Sequence, residues 1–174
     1  YEESGGGVTL SGGEVMAMDT DYILAVAKGL KRQDINLTID TCGYVPYEKF
    51  RAILPYADTF LYDVKVMDPE IHKQYMGVDN KLILENLARL SADGARIYIR
   101  IPTVKEVNGN AENMKETIAF LKEHDIHPPQ INLLPYHDTG SGKYRKLDME
   151  YMGKNLHAPD KAEMEELRQL FIEA

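Results

Sequence analysis

Cysteine and tryptophan are scarce in this sequence of 174 residues, which has one cysteine and no tryptophan. A single cysteine cannot form an internal disulfide, and it cannot hold a zinc ion or an iron–sulfur cluster whose ligands are all cysteines. No run of about 18 apolar residues occurs, so the sequence predicts no membrane span. We therefore expect a protein of the reducing cytoplasm.

Basic residues are outnumbered by acidic ones, with 20 lysines and arginines against 28 aspartates and glutamates and a formal charge of −8. Nucleic-acid binding needs a clustered basic face, so we expect no nucleic-acid partner. The sequence has no Gly-x-Gly-x-x-Gly motif, no Walker phosphate loop, no His-Glu-x-x-His motif and no Gly-x-Ser-x-Gly elbow. The sequence therefore carries no signature of the common dinucleotide, nucleotide, zinc-protease or serine-hydrolase sites.

Short β-branched segments alternate with helical patterns along the chain, which is typical of parallel βα units. The predicted strands are 7–10, 35–40, 59–65, 96–103 and 131–136, and the predicted helices are 19–32, 46–54, 79–90, 111–124 and 160–172. We predict an α/β fold with one domain over 1–174, in which 137–159 is a long loop and 160–174 holds the last helix.

Polar residues stand at the carboxyl ends of the predicted strands, where the active sites of parallel barrels lie. These residues are Glu14, Asp40 with Thr41, Asp63 with Lys65, Arg100, and His137. Side chains alternate along a strand, so Asp63 and Lys65 share one face. Charges buried there need a partner or a ligand, and the alternative to a ligand site is a structural ion pair.

Two further features of the sequence have a functional and a structural interpretation. In Ser11-Gly12-Gly13-Glu14 the glycines would let a ligand approach the backbone, although on these four residues alone a simple turn is the favoured interpretation. Cys42, next to a strand end, fits a small buried thiol better than a reactive one.

Several short segments together resemble the glycyl-radical-enzyme activating enzymes of the radical S-adenosylmethionine (SAM) superfamily, with the pyruvate formate-lyase type as the nearest. The matching segments are GGGVTLSGGE at 5–14, IDTCGY at 39–44, YDVK at 62–65, GVDN at 77–80 after His72, YIR at 98–100 and LLPYH at 133–137. They follow the family's order over nearly the whole chain.

The resemblance implies a partial barrel of six βα units, of which this chain lacks the first, with a [4Fe–4S] cluster and SAM at its mouth. One electron from the cluster cleaves SAM to methionine and a 5′-deoxyadenosyl radical, which abstracts hydrogen from a glycine Cα of the partner. The family's Cys-x-x-x-Cys-x-x-Cys loop precedes the Gly-Gly-Glu segment, and this sequence has no such loop. We expect those cysteines upstream of Tyr1, and we expect the 174 residues alone to be inactive.

The same resemblance implies that six residues bind SAM. Gly12, Gly13 and Glu14 would contact the methionyl amino group, and Lys65 would contact the methionyl carboxylate. Arg100 and His137 would lie at the ribose and adenine end. The matching positions of Asp40, Thr41 and Asp63 hold a monovalent cation beside that carboxylate, and paired carboxylates favour such a counter-charge. No catalytic residue is assigned within this chain.

The implied partners are a glycyl-radical enzyme, such as pyruvate formate-lyase, and an electron donor, such as flavodoxin or ferredoxin. Three alternatives stay open at this point. They are another radical SAM enzyme that acts on a small molecule, a phosphate-binding βα barrel that uses the glycine-rich loops, and an interaction module without catalysis.

Overall fold

A computed structural model of the chain describes residues 6–137 and 155–174. Its centre is a parallel sheet of five strands in chain order, each hydrogen-bonded to the next. The strands are β1 Gly7–Leu10, β2 Asn36–Thr41, β3 Thr59–Asp63, β4 Ile97–Thr103 and β5 Ile131–Pro135. This sheet confirms the predicted α/β class and is consistent with part of a barrel.

Helices connect the strands, and each predicted helix is present. They are α1 Thr20–Arg32, α2 Tyr47–Ile53, α3 Pro69–Met76, α4 Lys81–Ala92, α5 Ala111–Glu123 and α6 Lys161–Ile172, with a short 3₁₀ helix at Val15–Ala17. Side-chain caps start several of them, including the reciprocal capping box of Asp160 and Glu163 at α6. For α4, the N-cap is Asn80 rather than the expected Asp79.

Helix α3 is not among the predicted elements, because it is short and has no apolar stripe. Asp68 caps its first turn, Pro69 occupies the first helical position, and Gly77 ends it with a φ of 80°. These are ordinary start and stop signals for a helix. His72 lies inside with 2% exposure and bonds the Val78 carbonyl oxygen through Nδ1 at 2.7 Å.

The core lies between the helices and one face of the sheet. Along β4 every second residue from Ile97 to Thr103 is buried and the residues between them are half-buried. The same alternation in β2 and β3 buries Leu37, Ile39, Phe60 and Tyr62 against helical side chains. The other face of the sheet, called here the inner face, therefore carries the charged residues of these strands, Asp40, Asp63 and Arg100.

Because the strands are parallel, the loops that follow them lie along one edge of the sheet, called here the mouth. Most of the predicted loop over 137–159 falls outside the described residues. Within residues 6–137 and 155–174, no helix has the length and apolar character needed to cross a membrane.

Candidate functional site

Arg100 joins two carboxylates on the inner face. Arg100 and Asp63 are directly paired in the register of β3 and β4. Nε donates to Asp63 Oδ1 at 2.9 Å, and Nη2 lies 2.7 Å from the same oxygen. The guanidinium also donates to both carboxylate oxygens of Asp40 on β2. The three side chains are 17% to 21% exposed, so the group is a partly buried ion triad.

The electrostatics of this triad reflect its burial. Burial raises the pKa of the Asp63 carboxyl above its ordinary value, and the Arg100 guanidinium offsets part of that increase. Burial lowers the pKa of Arg100, but the two carboxylates outweigh burial and raise it. Ser11 Oγ adds a hydrogen bond of 2.7 Å to Asp40 Oδ2 and so links the loop after β1 to the triad.

Lys65 lies two residues beyond Asp63, near the triad but not part of it. Its charge opposes the rise in the pKa values of both Asp63 and Cys42. Among the described residues the ammonium makes no hydrogen bond and no salt bridge. Lys65, just beyond the end of β3, is therefore a cation with no anionic partner in the described residues.

Glu14 ties the loop after β1 to the end of β2. Its Oε1 accepts from the Met16 amide at 3.0 Å and the Thr41 hydroxyl at 2.7 Å, and its Oε2 accepts from the Cys42 amide at 2.7 Å. Both carboxylate oxygens are therefore engaged within the protein. Thr41 is 2% exposed and, as strand alternation requires, its side chain faces away from Asp40.

Gly12 and Gly13 form an open, exposed turn between β1 and Glu14. Both have positive φ angles, +104° and +62°, which side chains rarely adopt. A Cβ atom on either residue would meet no atom within 4 Å. The backbone there is accessible, so its amide and carbonyl groups can meet a ligand.

Cys42 is a half-buried thiol, in agreement with the interpretation as a packing residue. Burial and the neighbouring Glu14 carboxylate raise its pKa from 9.0 to about 11. The thiolate that reacts or binds metal is therefore scarce near neutral pH.

His137 is exposed and follows β5 by two residues, at the mouth as predicted. Thus the structure brings Asp40, Asp63 and Arg100 into contact, with Lys65 nearby, and it couples Glu14 to Thr41. No group of three or more histidine, cysteine or carboxylate residues in the described part of the chain is arranged to hold a metal ion. The role of Asp40, Thr41 and Asp63 as cation ligands stays a prediction.

Four buried asparagines near the mouth have no counterpart in the sequence predictions of site residues. They are Asn80, Asn86, Asn108 and Asn113, each at most 6% exposed and each bonded to loop backbone. Only the match of GVDN at 77–80 pointed to one of them. Asn86, for example, donates to the carbonyl oxygens of Gly43 and Val45 after β2.

Known proteins resemble this chain in sequence and in fold. No protein-family profile matches the chain. The chain is 47% identical over 173 residues to trans-4-hydroxy-L-proline dehydratase activating enzyme of Clostridioides difficile, covering 98% of the chain and 57% of that protein. It is 40% identical over 153 residues to choline trimethylamine-lyase activating enzyme of Oleidesulfovibrio alaskensis, covering 87% and 49%. The chain thus spans about half the length of these relatives.

A solved structure, a domain of pyruvate-formate lyase-activating enzyme from Bacteroides vulgatus, superposes with a TM-score of 0.81. It is 29% identical in sequence, and the match covers 97% of this chain and 94% of that one. The whole described architecture is therefore shared with that domain.

Proposed function

Because this chain is homologous to the glycyl-radical-enzyme activating enzymes of the radical SAM superfamily, we propose that it is a single domain that binds SAM in such an enzyme. The observation that carries the proposal is the contrast between two cations, Arg100 on the inner face and Lys65 just beyond the end of β3. Arg100 is saturated by Asp40 and Asp63, whereas Lys65 has no partner in the described structure. A ligand carboxylate at the mouth would meet the compact, free ammonium of Lys65.

The loop after β1 suits the methionyl amino group of SAM. Glu14 already accepts three hydrogen bonds, so the amino group is left to the exposed backbone carbonyls of Gly12 and Gly13. Glu14 then acts by holding the loop in place rather than by touching SAM. We assign Arg100 and His137 to the ribose and adenine end, with Arg100 fixed by its two carboxylates.

The iron–sulfur cluster does not fit the residues of this chain. One cysteine, which is half-buried and has a raised pKa, cannot hold a [4Fe–4S] cluster. The matches cover only 57% and 49% of the two relatives, and we assign the cluster ligands to sequence of the full-length protein that these 174 residues do not include. In the complete enzyme, cluster and SAM together would supply the radical that abstracts hydrogen from glycine.

The partner in this proposal is a glycyl-radical enzyme, and the identity of 47% makes a trans-4-hydroxy-L-proline dehydratase the first candidate. Choline trimethylamine-lyase and pyruvate formate-lyase are the next candidates. A flavodoxin or ferredoxin would deliver the electron, which fits a reducing cytoplasm. We retain a monovalent cation at Asp40 and Asp63 in the proposal, to which Thr41, whose hydroxyl is buried on the opposite face, can add only its backbone oxygen.

The binding half of the proposal is tested by calorimetric titration of the full-length protein with SAM. We expect Lys65→Ala to weaken binding about tenfold or more, in line with loss of a charge-assisted contact of about 1.5–3 kcal/mol. Lys81→Ala is the matched control, since its side chain is 81% exposed on α4. Equal affinities for the two variants would contradict the assignment. Inorganic phosphate in place of SAM tests the phosphate-barrel alternative, for which phosphate alone would bind.

The activity half is tested under anaerobic conditions with reconstituted full-length protein, a reductant, SAM and each candidate partner in turn. We expect the glycyl-radical doublet in electron spin resonance with one partner and none without SAM. SAM cleavage that no glycyl-radical enzyme converts into a doublet would favour a small-molecule substrate instead.

A further inference from the structure

The backbone after β3 leaves the sheet before it reaches the mouth. β3 ends at Asp63, and the Val64 amide still donates to the Arg100 carbonyl oxygen at 2.9 Å. From Lys65 to Met67 the sheet no longer supplies partners, and α3 begins only at Pro69. The conformation of this segment, called here the 65–67 segment, must therefore be held by other groups.

Three of the buried asparagines hold it. Asn80 Nδ2 donates to the carbonyl oxygens of Val66 at 2.9 Å and Met67 at 2.6 Å. Asn113 Oδ1 accepts from the Met67 amide at 2.8 Å, and its Nδ2 lies 3.5 Å from the Lys65 carbonyl oxygen.

Asn108 connects this segment to the next loop of the mouth. Its Nδ2 donates to the Lys65 carbonyl oxygen at 2.5 Å and to that of Pro102 at 2.8 Å. Its Oδ1 accepts from the Val104 amide at 2.7 Å. Lys65 is thereby fixed to β4, the strand that carries Arg100.

The three asparagines come from the start of α4, the loop after β4 and the first turn of α5, and they are 5%, 1% and 6% exposed. A buried carboxamide is retained only when its hydrogen bonds are made, and loss of one partner leaves backbone groups unpaired. Such a network gives the segment one conformation. It therefore fixes where the Lys65 side chain leaves the backbone.

We propose that Asn80, Asn108 and Asn113 are positioning residues for SAM, which set the place of the Lys65 ammonium at the mouth by clamping the 65–67 segment. The inference rests on the proposed function, because it needs Lys65 to meet the SAM carboxylate. A misplacement of about 1 Å at a binding group costs up to about a hundredfold in a well-fitted site.

Asn80→Ala in the full-length protein is the first test, since Asn80 makes no side-chain cap bond to α4 and its loss affects the 65–67 segment alone. We expect the Kd for SAM to rise about tenfold in titration calorimetry. In a Lys65→Ala background, the same change should leave the Kd where Lys65→Ala alone puts it. Asp58→Ala is the control, because Asp58 accepts from the Leu37 amide at the opposite edge of the sheet.

Asn113 gives a second test that needs no ligand and serves also if Asn80→Ala does not fold. Asn113→Asp keeps an acceptor for the Met67 amide, whereas Asn113→Ala removes it. We expect hydrogen exchange at Met67 to be faster in Asn113→Ala than in the wild type and to recover in Asn113→Asp.

The outcomes separate the two proposals. If the losses of SAM affinity caused by Asn80→Ala and Lys65→Ala add up in the double variant, the positioning role is overturned. It is also overturned if Asn80→Ala loses stability as Asp58→Ala does but keeps the SAM affinity of the wild type. Unchanged exchange at Met67 in Asn113→Ala overturns the clamp itself. A wild type that exchanges as expected but does not bind SAM overturns the proposed function.

Discussion

The guanidinium of Arg100 lies 2.7 Å from the carboxylate of Asp63, its direct neighbour across β3 and β4. The same guanidinium contacts Asp40, so one cation neutralises two carboxylates. Ion pair and ligand site were alternative interpretations of these strand ends. The structure contains an ion pair between Arg100 and the two aspartates, and it leaves Lys65 without a partner in the described residues. A ligand contact of Lys65 stays a prediction.

Arg100→Ala should destabilise the fold strongly. The change leaves two partly buried carboxylates facing each other, and breaking such a pair costs about 3–5 kcal/mol, reduced here by their partial exposure. Arg100→Lys should lose part of this free energy of unfolding, because an ammonium cannot bond both carboxylates at once as the planar guanidinium does. Urea unfolding measures the loss. Arg168→Ala, whose partner Glu165 lies 3.4 Å away on exposed α6, should stay close to wild type; a loss as large as that of Arg100→Ala would contradict the argument.

The carboxylates freed in Arg100→Ala should acquire a cation dependence. Asp40 and Asp63 then lose the guanidinium that pairs with both of them, and a small cation can replace its charge. We expect the Tm of Arg100→Ala to be higher in potassium chloride than in tetramethylammonium chloride at equal ionic strength. Arg100→Ala with Asp63→Asn should lose the difference. A Tm that is insensitive to the cation in both proteins would argue against a cation site there.

Cys42 should be a poor nucleophile, because its thiol loses its proton at a higher pH than an ordinary thiol does. Its pKa of about 11 lies above the ordinary 9.0, so the folded protein binds more protons than the unfolded chain between those values. Stability from this group is therefore full below pH 9.0 and is lost as the pH rises toward about 11. Iodoacetamide alkylation of the 174-residue chain, whose single thiol is Cys42, should be half-maximal near pH 11. The urea-unfolded chain is the control, and a folded midpoint equal to its midpoint would refute the shift.

The strands and most helices could be predicted because their signals are local. β4 alternates buried and half-buried residues without a break, and the helices predicted at 19–32, 111–124 and 160–172 are present within one residue of those bounds. Residues at the mouth could be predicted because parallel strands end at one edge. Even the orientation of Thr41, opposite to Asp40, follows from strand alternation alone.

The partners of these residues could not be predicted, because they are distant in sequence. Nothing local distinguishes Asn108 from a surface asparagine, yet its amide bonds Lys65, 43 positions earlier. Glu14 looked like a ligand-binding carboxylate, and only the fold reveals that Thr41 and Cys42 occupy its oxygens. Polar residues that bind distant backbone leave no periodic pattern.

Gly43→Ala should destabilise the protein by more than backbone strain alone. Gly43 has a φ of +79°, and a Cβ there would lie 1.8 Å from the buried Tyr62 hydroxyl, which bonds the Ile83 carbonyl oxygen. Gly77→Ala is a matched control with a φ of +80° and no atom near its Cβ. In urea unfolding we expect Gly77→Ala to lower the free energy of unfolding by about 1 kcal/mol. We expect Gly43→Ala to lower it by at least about 2 kcal/mol more. Equal losses of unfolding free energy in the two variants would mean that Tyr62 moves to make room for the added Cβ.

Glu14→Gln tests whether this residue holds the loop of Gly12 and Gly13 through β2. The amide must turn an N–H group toward one of three donors, the Met16 amide, the Thr41 hydroxyl or the Cys42 amide, and an unpaired buried group costs about 1–3 kcal/mol. We expect that loss in urea unfolding together with weaker SAM binding by the full-length protein. Thr41→Val removes one of the three bonds and also the acceptor of the buried Gly43 amide, so it should lower stability as well. If Glu14→Gln weakens SAM binding while its stability stays at the wild-type value, Glu14 contacts the ligand directly and does not act through the loop.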